Sequence, residues 1–222
     1  MNLFGVLSDA FPLLLKGLGM TVQVTVISLV FAVVIGIITC LFGMAKIRLL
    51  RWIAKFYIWI IRGTPMLVQA MYIYLAVPQL VQLITGSQFT ISIFAASLMT
   101  LTLNAGAYMA EIFRGAIEAV NKGQMEAARS LGLSYGQAMV KIILPQAVRI
   151  CLPSLVNQCI ITLKDSTILY AIGLSEIMYY GKIYVGRTFE VFATYTWIAL
   201  FFLVIISILS FVSRRIERRL KS

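Results

Sequence analysis

The sequence contains no histidine. Its absence removes His-based nucleophile triads, HExxH zinc sites and imidazole proton relays. Charge is scarce too, at 12% of 222 residues, about half the share carried by a soluble globular domain. No G-x-x-x-x-G-K-[ST] run occurs, so the chain has no phosphate loop of its own. Cysteine is limited to Cys40, Cys151 and Cys159, all in apolar stretches and without CxxC spacing. They read as small packing residues, not ligands or disulfides. No metal and no cofactor are expected in this chain. The N-terminus lacks a basic region followed by a small-residue cleavage site, so no cleavable signal peptide is expected.

What the sequence does have is hydrophobicity, 61% of its residues. Its length fits one domain over 1–222. A spanning helix needs about 20 mostly apolar residues. Five stretches qualify, at about 18–44, 56–83, 89–110, 150–172 and 191–212. The second is interrupted by Arg62-Gly63-Thr64-Pro65, and the fourth carries Lys164 and Asp165. The expected fold class is an all-α integral membrane protein, with five transmembrane helices in the lipid bilayer. The net charge of +11 does not point to nucleic acid, because the basic residues flank the apolar runs. Five Lys or Arg lie between the first stretch and Arg62, five from Glu111 to Arg149, and five from Arg214 onward. Only Lys16, Lys164, Lys182 and Arg187 fall on the other side. This bias of fifteen to four predicts an outside N-terminus and a cytoplasmic C-terminus.

The cytoplasmic loop at about 121–145 has its own structure signals. Asn121 with Gln124 reads as a helix start, and Gly132 stands where a left-handed residue would end that helix. Ser134 with Gln137 opens a second helix, expected to end before Pro145. The first of these is too short to be stable alone in water. It either lies on the bilayer or projects as a knob for a cytoplasmic groove, and local features leave both open.

The wider pattern is more specific. Glu126-Ala127-Ala128 is followed after three residues by Gly132, then after nine by Ile142, then by Leu144-Pro145. This resembles the EAA motif of ABC importer permeases at every spacing. Arg62-Gly63-Thr64-Pro65, the run from Ala107 to Gly115, and Lys164-Asp165-Ser166 resemble the polar amino-acid branch of that family, which includes histidine, glutamine, arginine and cystine importers. The likeness covers about residues 11–219. It implies a type I importer permease in a bacterial cell membrane, non-catalytic in itself. The implied coupling helix carries Glu126, Ala127, Ala128 and Gly132 to an ATPase subunit, and Leu144-Pro145 sets the start of the fourth span. The implied partners are two ATPase subunits that hold ATP and Mg, a second permease subunit, expected to be an identical copy, and an external solute-binding protein.

Polar residues inside a span are functional candidates by default. In the fourth span Ser154, Gln158, Ile161, Thr162 and Asp165 fall near one face by helical spacing. Asp165 lies sixteen residues past Arg149, about 24 Å along a helix. A carboxylate at that depth calls for a wet cavity, a cation or a partner helix. The resemblance places solute contacts at Gln158, Ile161 and Asp165. In relatives of that branch that carry cationic amino acids the Gln158 position can hold a glutamate, so the resemblance, with a neutral amide here, argues against a dedicated arginine or lysine importer; Asp165 would suit the α-ammonium of any amino acid. An opine or another zwitterion fits as well. So does a structural role: Asp165 pairing with a Lys or Arg on a neighbouring helix, Lys164 of the partner subunit included, and Gln158 bonding between helices. In the third span Asn104, Tyr108 and Glu111 share a face. Asn104 is expected to line the path. Glu111 is expected to pair with Arg62 or Arg114 as a gate brace, with Arg62→Ala and Glu111→Ala acting alike. The outer segment at 175–190 is too long for a simple turn, and its Tyr179, Tyr180 and Tyr184 suit the membrane interface or a surface for the binding protein.

Overall fold

The computed structural model describes residues 3–221, with side chains for all but Phe4 and residues 216–221. Residues 1, 2 and 222 of the expected domain, and the side chains of Arg218, Arg219 and Lys221 in the basic tail, lie outside the described residues. Among the described residues five helices are long and apolar enough to cross a membrane: Gly5–Met44, Met66–Thr85, Ile93–Glu118, Tyr135–Ile172 and Val191–Arg215.

The core is organised by α1 (Leu3–Met44) and α5 (Ile93–Glu118). Along α1, Gly17, Thr21, Thr25, Ser28, Ala32, Gly36 and Cys40 recur every three or four residues, and all are buried. Small residues at that spacing let helix backbones approach closely. At Gly36 a Cβ would stand 2.9 Å from the Met109 Cβ of α5. The two helices run in the same direction, since Thr102 donates to the Ser28 carbonyl at 3.4 Å near one end and Gly36 meets Met109 near the other. Helix α1 begins well before the expected residue 18. Val6, Ala10 and Leu14 are buried against Ile177, Ala193 and Ile198, and this packing carries the helix past Asp9 and Lys16.

The second stretch differs most from expectation. Instead of one span from residue 56, the chain forms α2 (Arg48–Gly63), breaks at Thr64 and Pro65, and resumes as α3 (Met66–Met71). Both break residues are extended, Thr64 at φ −123° and ψ 145°, as the residue before a proline prefers. A π turn, Tyr72–Ala76, joins α3 to α4 (Val77–Thr85). Helix α5 continues past its expected end near 110 because its charges neutralise one another along the helix. Arg114 bonds Glu111 at 2.9 Å and Glu118 at 2.7 Å, at i−3 and i+4.

After α6 (Lys122–Ser130), α7 (Tyr135–Ala138) does not stop before Pro145. It runs through a π turn, Met139–Ile143, into α8 (Leu144–Asp165). In a helix interior a proline ring meets the carbonyl four residues back and offers no N–H. Here the wider π turn lies just ahead of Pro145, as Tyr72–Ala76 does ahead of Pro78. A 3-10 segment, Ser166–Ile172, ends on Gly173 at φ 94°. The outer segment is a helix, α9 (Ile177–Thr188), followed by α10 (Val191–Lys221). Tyr184 is 8% exposed and belongs to the core under α1, so its expected place at the membrane interface is corrected.

Candidate functional site

Three groups of side chains stand out by chemistry. The first is the α6 knob. The Asn121 side chain caps the Gly123 N–H at 2.8 Å, one residue short of the Gln124 expected from the capping pattern. The other end closes on Gly132 at φ 85°, with Leu133 N–H donating to Ala128 O at 3.2 Å and Gly132 N–H to Arg129 O at 3.1 Å. This is a Schellman ending, and it needs the glycine. Ser134 and Gln137 form a reciprocal capping box across the next helix start. Within α6 only Ala128 is buried, and Met125 packs into the cluster of Ala116, Val120, Ile143, Ala147 and Cys151. These contacts fix a helix that propensity alone would not hold. Glu126 and Ala127 face outward, and Leu131 is 82% exposed at the turn. The two alanines therefore differ: Ala128 seats the helix on its own scaffold, and Ala127 is free for a partner. Leu144 and Pro145 are also exposed.

The second group joins α2, α3 and α5. Gln69 of α3 reaches back across the break. Its Nε2 donates to Ile61 O at 2.7 Å, Thr64 O at 3.0 Å and Thr64 Oγ1 at 2.9 Å, and its Oε1 accepts from Asn104 Nδ2 at 3.0 Å. Asn104 is 8% exposed and Gln69 9%, so here Asn104 is bonded inside the chain. Two turns further along α5, Arg62 Nη1 lies 3.3 Å from Glu111 Oε2, with its guanidinium 5.2 Å from the centre of the Tyr108 ring. Glu111 is shared, because Arg114 also bonds it through Nε at 3.0 Å and Nη2 at 2.9 Å. Glu111 thus holds two arginines, where the sequence reading expected Arg62 or Arg114. Sequence reasoning missed Gln69. Its signal was available, an amide within an apolar stretch four residues past Pro65.

The third group is the expected solute face of α8, which the structure divides. Gln158 and Thr162 are buried, at 4% and 2% exposed, and bond each other through Gln158 Nε2 and Thr162 Oγ1 at 3.4 Å. Ser154 and Ile161 are exposed and Asp165 is half-buried, without an ion pair among the described residues. Gln158 and Asp165 are thus brought to one helix but not to one cavity within a single chain.

Comparison with known proteins places this architecture. The family described as binding-protein-dependent transport system inner membrane component matches residues 29–222. The arginine transport system permease protein of Bacillus subtilis is 36% identical over 223 residues, covering 100% of this chain and 99% of the relative. The glutamine transport system permease protein of Escherichia coli K12 is 38% identical, covering 96% and 94%. A crystal structure of an amino acid ABC transporter with histidines superposes with a TM-score of 0.91 at 35% identity, covering 99% of each chain. The inward-facing MetNI methionine ABC transporter, at 21% identity and a TM-score of 0.76, shares the fold. With its five membrane-crossing helices and the projecting α6, this chain belongs to the family of binding-protein-dependent transport system inner membrane components.

Proposed function

We propose that this chain is the membrane-spanning subunit of an ATP-driven importer for a polar amino acid. The observation that carries the reading is α6. A nine-residue helix is displayed on its own scaffold through Ala128 and Met125, with Glu126 and Ala127 turned outward and a Schellman turn at Gly132. That is the shape of an attachment point for a second protein. The residues on it match the motif through which permeases of this kind engage their ATPase. In this reading ATP and Mg are held by two partner ATPase subunits, and a second copy of the permease completes the path. The N-terminus lies outside and the C-terminus in the cytoplasm, as the distribution of Lys and Arg supports. An external binding protein delivers the cargo. Relatives named for arginine and glutamine support the polar amino-acid class.

The mechanism is alternating access. Closure of the ATPase dimer moves α6, and α6 is packed on α5 and α8 through Met125, so both helices move with it. The extended joint at Thr64 and Pro65 lets α2 and α3 change angle, and Gln69 with Arg62 and Glu111 braces that joint. Ile161 and Asp165, from both copies, face the central path, with Asp165 taking the α-ammonium. Gln158, Thr162 and Asn104 support that path from behind.

Co-purification with the cognate ATPase tests the attachment. Glu126→Lys should release the ATPase while leaving the permease folded, and a complex that survives this change would refute the assignment. Thermal-shift screening of the cognate binding protein against the twenty amino acids and cystine tests the cargo. Stabilisation by none of them would remove the amino-acid assignment and leave the importer assignment standing.

A further inference from the structure

Helix α2 carries a surface that the transport reading does not use. Over residues 48–63 it has four basic residues and no acidic one. Arg48, Arg51 and Lys55 recur at i, i+3 and i+7 and form a stripe down one edge. None of the three makes an ion pair among the described residues. Ile47, the residue before the helix, provides no side-chain cap, and the first turn holds no acid. The positive end of the helix dipole and two arginines therefore stand together without a counter-charge.

Beside the stripe runs an aromatic ridge. Trp52 stacks on Phe56 at 5.0 Å and 8°, and Phe56 meets Trp59 at 6.1 Å. Trp52 is 61% and Trp59 71% exposed. The remaining face is the one that packs. Ala54 is buried, and Tyr57 Oη donates to the Leu103 carbonyl of α5 at 2.6 Å. The exposed ridge is therefore not waiting for this chain's own core.

Tryptophan beside arginine and lysine, at the end of a membrane helix, matches the boundary between acyl chains and anionic headgroups. We propose that α2 is a binding site for anionic phospholipid of the cytoplasmic leaflet. Trp52, Phe56 and Trp59 lie among the upper acyl carbons, and Arg48, Arg51 and Lys55 hold the headgroup phosphates. The free N–H groups of the first turn face the same phosphates. Helix α2 ends at the joint braced by Gln69, Arg62 and Glu111. The inference rests on reading the chain as a bilayer-spanning subunit and does not depend on which cargo it carries.

The test uses the permease–ATPase complex in nanodiscs of neutral phosphatidylcholine, doped with brominated phosphatidylcholine or with brominated phosphatidylglycerol at equal mole fraction. The signal is the fluorescence difference between the parent complex and W52F/W59F, so tryptophans elsewhere cancel. Quenching by the anionic lipid should indicate a local enrichment of at least about fivefold, the ratio set by a single basic residue near such a surface. The enrichment should shrink with added salt. In R48Q/R51Q/K55Q it should fall to about one, with quenching by the neutral lipid retained as proof that the helix still meets the bilayer. Equal quenching by both lipids in the parent, or full enrichment in the triple variant, overturns the proposal. So does an absence of quenching by either lipid, which would mean that a second copy or another protein covers the ridge.

Discussion

Replacing Glu176 by glutamine should stabilise the protein far more at pH 8 than at pH 5. Glu176 is the residue before α9, and it is fully buried. Its Oε1 accepts the Tyr179 N–H at 2.8 Å, while Oε2 has no hydrogen-bond partner. Burial pushes its pKa up from 4.5 to about 7, against the pull of the Met178, Tyr179 and Ile177 amides. The folded protein therefore keeps this proton until about pH 7, whereas the unfolded chain loses it near 4.5. The neutral carboxyl's contribution is fully present below 4.5 and is lost as pH rises through 7. A difference of that size corresponds to about 3 kcal/mol. Glutamine has the same shape, stays neutral, and removes this titration. The assay is thermal unfolding of the purified complex in detergent at several pH values from 5 to 8, parent against E176Q. The variant should gain progressively over the parent across that range, by up to about 3 kcal/mol at the top. Parallel curves would refute the reasoning, because they would show that Glu176 is ionised in a wet or paired setting throughout.

Other substitutions test the packing and the brace. Glu111→Ala removes the acidic partner of Arg62 and one of the two acidic partners of Arg114, while Arg62→Ala leaves the Glu111–Arg114 bond at 2.9 Å in place. Each pair is partly exposed and contributes about 0.2–1 kcal/mol, so Glu111→Ala should lower the unfolding midpoint more than Arg62→Ala, and the double variant should be less than additive. Equal single effects that add fully would remove the brace. Phe189 ends α9 at φ 60° and is 84% exposed. Phe189→Gly should relieve about 1 kcal/mol of left-handed strain and raise the midpoint, and a lowered midpoint would show that the ring holds a contact. At Gly17 a Cβ would stand 2.6 Å from the Ile177 Cα and 2.9 Å from the Glu176 carbonyl carbon, both backbone, whereas Gly19 has nothing within 4 Å. Gly17→Ala should therefore cost about 1–3 kcal/mol by forcing α1 and α9 apart, and Gly19→Ala should be neutral or slightly stabilising. Equal effects at the two glycines would contradict the packing.

Five spans and α6 were legible in the sequence because each depends on local signals: apolar length, a cap at Asn121, and a glycine at Gly132. Boundaries were less so, for reasons specific to each. The start of α1 is set by Val6, Ala10 and Leu14 meeting α9 and α10 far along the chain, which no local window contains. The end of α5 is set by charges that cancel within the helix, so counting Glu111 and Arg114 as loop residues cut it short. Pro145 reads as a helix stop, yet the π turn before it lets the helix run on. The small residues from Gly17 to Cys40 were not read from the sequence as a packing stripe, although their three-to-four-residue spacing is there to see. The solute face shows where periodicity stops being informative. Helical spacing groups Gln158 and Thr162 with Ile161 and Asp165 to within a fraction of a turn, but the first two are buried and bonded to each other while Ile161 is exposed and Asp165 half-buried. A few tens of degrees decide between the chain's own core and a surface left open by that core, and neighbouring helices set that rotation. Asp165 is half-buried in one chain with no ion pair there, a costly place for a carboxylate. A half-buried carboxylate of this kind calls for a cation or a polar partner from outside the single chain.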